Sequence, residues 1–68
     1  MAMREKLKKA FVAHAEGKLQ NHLANLEVYL MNPVGIGEHP DIMEALESEL
    51  AKVAHYDELL ETARKHLD

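Results

Sequence analysis

The sequence predicts an all-α fold, an antiparallel two-helix hairpin that pairs as a homodimeric four-helix bundle. Three observations predict it. Apolar residues recur at spacings of three and four over two long stretches, the signature of amphipathic helices. Both prolines and two of the three glycines fall between those stretches, within Asn32-Pro33-Val34-Gly35-Ile36-Gly37-Glu38-His39-Pro40-Asp41. Finally, 47% of the 68 residues are apolar and none is cysteine. That is more hydrophobic material than a two-helix seam hides, with no disulfide or thiolate-zinc site to staple so small a chain. Self-association is the staple that remains.

The chain reads as one helical-hairpin domain spanning residues 1–68. In the first helix, placed at about 3–31, the apolar stripe runs Met3, Leu7, Phe11, Ala15, Leu19, Leu23, Leu26 and Leu30. Pro33 ends it, because proline disfavours helical geometry at the residue before it, and Asn32 tolerates a left-handed cap. Gly17 lies inside the pattern; it permits a close helix approach or a gentle bend, or it separates two shorter helices. The loop is placed at about 32–40. The second helix, at about 41–66, repeats the pattern with Ile42, Leu46, Leu50, Val53, Tyr56, Leu60, Ala63 and Leu67. Its start has two readings: Pro40 as first helical residue after a His39 cap, or Asp41 as the cap with Glu44 three residues on. Acids fill its first turn and Arg64, Lys65 and His66 its last, both suited to the helix dipole.

Helices of about 40 Å make a rod with a narrow seam. Val12, Val28, Tyr29, Met31, Met43 and Leu59 widen the stripes, and a wide stripe needs a second neighbour. The dimer interface is accordingly expected at Leu7, Phe11, Leu19, Leu23, Leu26, Leu46, Leu50, Val53 and Leu60. Charge suggests its direction. Residues 1–37 carry five basic and three acidic side chains, while residues 38–68 carry three and nine. The open end (Arg4, Lys6, Lys8, Lys9, Arg64, Lys65) is basic and the loop end (Glu38, Asp41, Glu44, Glu47) acidic. Antiparallel pairing sets one beside the other.

Several function classes find little support. A net charge of −4 argues against a dedicated nucleic-acid binder, which needs a concentrated basic face; Glu5 dilutes the Lys6, Lys8, Lys9 run. The basic amino terminus lacks a signal-peptide core and the longest apolar run, Val28 to Met31, is far short of the roughly 20 residues of a membrane span. The expectation is therefore a cytoplasmic protein that meets no membrane. Nucleophilic catalysis has only Ser48 and Thr62 to draw on, neither with a recognisable base. No catalytic residue and no cofactor is expected.

Candidate binding residues cluster in the loop. Gly35-Ile36-Gly37 superficially suggests a phosphate cradle, but there is no preceding strand or P-loop lysine, and Glu38, Asp41 and Glu44 repel anions. The structural reading is that Val34 and Ile36 fold inward to plug the bundle while the glycines supply the backbone angles. The set Val34, Gly35, Ile36, Gly37, Glu38 and His39 is then the candidate interaction loop. Glu38, His39 and Asp41 are weak metal-ligand candidates, since zinc wants three or four ligands in fixed geometry. His14 and His22 lie eight residues apart on one face of the first helix and His55 on the second. They read as polar residues flanking the seam, with His14 and His22 partly buried at the dimer interface, which would make that interface sensitive to pH. Tyr29 and Tyr56 read as edge-of-core residues.

The run from Leu26 through Asn32-Pro33-Val34-Gly35-Ile36-Gly37-Glu38-His39-Pro40-Asp41 to Ile42, followed by an acidic amphipathic helix, resembles a family of short proteins of T4-like tailed bacteriophages, notably those infecting marine cyanobacteria. The likeness covers about two thirds of the chain, with its distinctive part at Asn32 to Asp41. It implies a viral origin and a setting in the host cytoplasm or the virion, and it carries no catalytic residues. The functional expectation is a non-enzymatic helical interaction module, an accessory or adaptor protein that binds a host or viral protein; the alternative is a small metal- or ligand-binding bundle.

Overall fold

The computed structural model describes residues 2–31 and 41–68. The expectations placed on Val34, Gly35, Ile36, Gly37, Glu38 and His39 lie outside the described residues. Two helices make up the rest, α1 (Met3–Met31) and α2 (Ile42–Leu67). They run antiparallel: Arg4, in the first turn of α1, donates to the carbonyl of Leu67 at the end of α2 across 2.8 Å. The result is an all-α hairpin, a rod of 50 × 17 × 15 Å. Its radius of gyration is 15.5 Å, against roughly 11 Å for a compact domain of this length. No helix among the described residues is long and apolar enough to cross a membrane.

Local signals account for the ends. The carboxylate of Asp41 accepts the backbone N–H of Glu44 at 3.0 Å, so Asp41 caps α2, the second of the two starts the sequence allows. Arg64, Lys65 and His66 occupy the last turn, where positive charge meets the negative end of the helix dipole. At the start of α1, the carbonyl of Ala2 accepts from the backbone N–H groups of Glu5 and Lys6.

The seam does not follow the apolar stripe of α1. Each step of four residues advances about 40° round a helix of 3.6 residues per turn. From Met3 through Leu7, Phe11, Ala15 and Leu19 to Leu23 the stripe therefore winds about halfway round α1. The straight contact line runs instead along Lys8, Ala15, His22 and Tyr29, spaced by seven, against Ile42, Glu49, Tyr56 and Ala63, spaced likewise; every one of these is buried or half-buried. A seven-residue row keeps facing one neighbour when two helices coil gently together. The stripe crosses this line at Ala15, which is 0% exposed, and leaves Leu7 (62%) to one side and Leu30 (61%) to the other.

Gly17 interrupts nothing, because α1 is continuous through it. A Cβ built there meets nothing within 4 Å, so no contact within the hairpin requires the glycine. Gly17→Ala is expected to raise the stability by about 0.5–1 kcal/mol, the helix-propensity difference; a urea titration at fixed protein concentration checks it.

The open end of the rod is clasped by charge. Lys8 pairs with the Asp68 carboxylate, and Arg64 pairs with Glu61 within α2. The hydrogen bond from Lys8, then its charge, hold the Asp68 carboxyl below its ordinary value. A depressed carboxyl contributes stability that is present above its unfolded value and is lost as pH falls through the folded one. For so exposed a group the contribution is small. Lys8→Met is expected to return the Asp68 titration upward toward the ordinary carboxylate range, read by NMR of its side-chain carboxyl.

Candidate functional site

The described residues present two features beyond a plain hairpin: a polar node inside the seam and an apolar face beside it. The node is built on Glu49, which is 8% exposed. One of its carboxylate oxygens accepts from His22 Nδ1 at 2.7 Å and the other from Asn25 Nδ2 at 3.1 Å. His22 and Asn25 stand three residues apart on α1, so both reach the same carboxylate across the seam. No buried side-chain nitrogen or oxygen among the described residues lacks a hydrogen-bond partner, so the charge of the carboxylate is met by fixed donors.

Tyr56, one heptad after Glu49, extends the node. Its ring is stacked with His22 at a centroid distance of 6.1 Å and 11° between planes. His14 meets the same ring edge-on at 6.5 Å, and His55 does so at 4.9 Å. The phenol ring thus lies between His14 and His22, opposite the stretch of α1 whose seam positions are Ala15 and Leu19. The node is a structural clamp that holds two helices in register, with one imidazole held in it, His22, and two exposed imidazoles on its rim, His14 and His55.

Sequence reasoning placed His22 beside the seam and not in it, and it missed Glu49 altogether. The signal that finds both is the seven-residue row, which sets His22 between Ala15 and Tyr29 and Glu49 between Ile42 and Tyr56. Leu50, expected at the dimer interface, is 57% exposed, because Glu49 takes the place facing α1 and Leu50 is turned about 100° away.

Of the residues assigned to the dimer interface, Val53 is buried within the hairpin. Phe11, Leu19, Leu26, Leu46 and Leu60 are half-buried there, and Leu7, Leu23 and Leu50 are exposed. Among the metal candidates Asp41 is described, and one of its carboxylate oxygens caps α2. No group of three or more His, Asp or Glu suited to hold a metal ion occurs among the described residues. Ser48 and Thr62 are exposed on α2.

The apolar face follows from the same displacement. Met43, Leu46 and Leu50 line a groove on α2 together with Ala51 and Ala54. On α1, Leu23 (36% exposed) and Leu30 (61%) are seven residues apart and share one side. At the node, then, the seam is polar, while Leu23, Leu30 and Leu50 stand outside it, where an isolated hairpin leaves them without cover. No family model matches the chain, and no curated protein and no solved structure matches it.

Proposed function

We propose that this chain is a non-enzymatic helical interaction module that self-associates into a homodimeric four-helix bundle and serves as an accessory protein binding a host or viral protein. One observation carries the reading. Met3, Leu7, Leu23, Val28, Leu30, Met31, Met43, Leu50 and Leu67 are large apolar side chains left exposed, while the buried apolar residues among those described are Ala15, Val53 and Ala63, and no large side chain is fully buried. A helix pair so poor in buried surface gains its stability from a neighbour, and the bundle is the economical one.

The two ends of the rod supply the orientation. The basic end holds Arg4, Lys8 and Arg64, and the acidic end holds Asp41, Glu44 and Glu47. Antiparallel pairing brings the signs together at both ends. The viral setting rests on the resemblance of the Asn32–Asp41 segment. Sedimentation equilibrium of the untagged chain over a wide concentration range tests the self-association: a dimer is expected, and a stable monomer at every concentration defeats it.

A further inference from the structure

We propose that a second copy of this chain docks antiparallel on one particular face of the hairpin, the face that carries Val12, Leu23, Leu50 and Leu60; this rests on the self-association reading and adds the surface and register to it. The face is identified by its rows. Val12, Glu16, Leu60 and Arg64 line one groove of about 330 Å³ near the open end, so they share a side of the rod. Seven and fourteen residues on from Glu16 stand Leu23 and Leu30; seven and fourteen back from Arg64 stand Asp57 and Leu50, and Met43 a further seven. Seven residues are nearly two turns, so these side chains lie on the same side as the groove. The face is therefore apolar at the loop half, and grooved with an apolar floor and charged rim at the open half.

A half-turn about an axis crossing the rod at its middle lays one copy against the other with the halves exchanged. The helices have their midpoints near Gly17 and Ala54. Leu23 and Val12 stand six and five residues to either side of Gly17, and Leu50 and Leu60 four and six to either side of Ala54. Leu23 and Leu50 of one copy thus come over the partner's Val12 and the partner's Leu60, and the same contact forms twice. The rim agrees: Glu27 falls near the partner's Lys9, and Glu47 falls toward the partner's Lys65, an ordering that favours the second copy over an unrelated helix. The extent agrees too, since a face of 50 × 17 Å matches the ~800 Å² per partner of a standard interface. Among the described residues, the opposite side carries a notch at the open end, lined by Arg4, Leu7, Phe11 and Leu67.

The register has a cost at its axis, which makes it testable. Glu16 stands one residue from the midpoint, so the two copies of Glu16 flank the axis and repel. Sedimentation equilibrium of the full chain is compared for the wild type, Leu50→Glu, Leu7→Glu and Glu16→Gln, with helicity checked by circular dichroism. Leu50→Glu is expected to weaken the dimer by about tenfold or more and Leu7→Glu by less than about threefold, while Glu16→Gln tightens it. A dimer broken by Leu7→Glu and indifferent to Leu50→Glu overturns the face and leaves self-association standing. A dimer broken by Leu50→Glu and not tightened by Glu16→Gln overturns the antiparallel register. A wild type that is monomeric throughout overturns the self-association itself.

Discussion

Replacing Glu49 with alanine is expected to lower stability by about 2–4 kcal/mol, because His22 and Asn25 lose their common acceptor and remain in a closed seam. The His22 and Glu49 side chains are 14% and 10% exposed, dry enough that water replaces the lost carboxylate poorly. A small chain has little to spare, so the variant is expected to unfold well below the wild-type urea midpoint. The informative comparison is the apolar replacement. Glu49→Leu alone leaves the same two donors stranded, whereas Glu49→Leu with His22→Leu and Asn25→Leu removes the whole node. A buried polar group exchanged as a unit for packed leucines is commonly neutral or stabilising by about 1–4 kcal/mol. The triple variant is accordingly expected at or above wild-type stability. If Glu49→Ala proves as stable as wild type, the clamp contributes nothing.

What the node supplies is register. Leucine rows slide past one another at small cost, and a hairpin of two uniform apolar stripes could settle a turn away from the observed alignment. A carboxylate with two donors fixed opposite it is satisfied in one alignment only. The triple variant separates the two roles: stability retained, together with broadened amide resonances or more than one oligomer by sedimentation, is the expected signature of a lost alignment.

These same residues mark where the sequence was legible and where it was not. Both helices could be read from their periodicity, and Asp41 as one of two possible caps from its acid spacing, because these depend on neighbours three or four residues away. Which side of α1 faces α2 depends on the partner helix, and the apolar pattern misled there. Its steps of four wind round the helix, so Leu7 and Leu23 look like seam residues and lie to either side of it. Glu49 was hidden by its neighbour, since an apolar count picks Leu50. Only reading both helices together, with His22 and Asn25 as donors to an acid across the seam, recovers the node. The dimer residues divide for the same reason: Val53 closes the hairpin itself, while Leu23 and Leu50 remain outward.

Ala15 is the residue where the smallest change has the most to disturb. It is 0% exposed, where the winding stripe of α1 crosses the seam, and the Tyr56 ring lies opposite, between His14 and His22. Its methyl group is fully enclosed; a leucine adds three carbons to a place with no room. Ala15→Leu is expected to cost about 1–3 kcal/mol by overpacking, although leucine forms helix nearly as well as alanine. The strain has two outlets, rotation of the Tyr56 ring away from His22 or separation of the helices. Either one lengthens the reach from His22 to Glu49. The variant is therefore expected to couple to the node: in a double-mutant cycle with Glu49→Ala the combined loss falls short of the sum of the two separate losses, by about 0.5–1 kcal/mol or more. Strict additivity would mean that the crossing at Ala15 and the clamp at Glu49 hold the hairpin independently, and that the stacked Tyr56 ring transmits nothing between them.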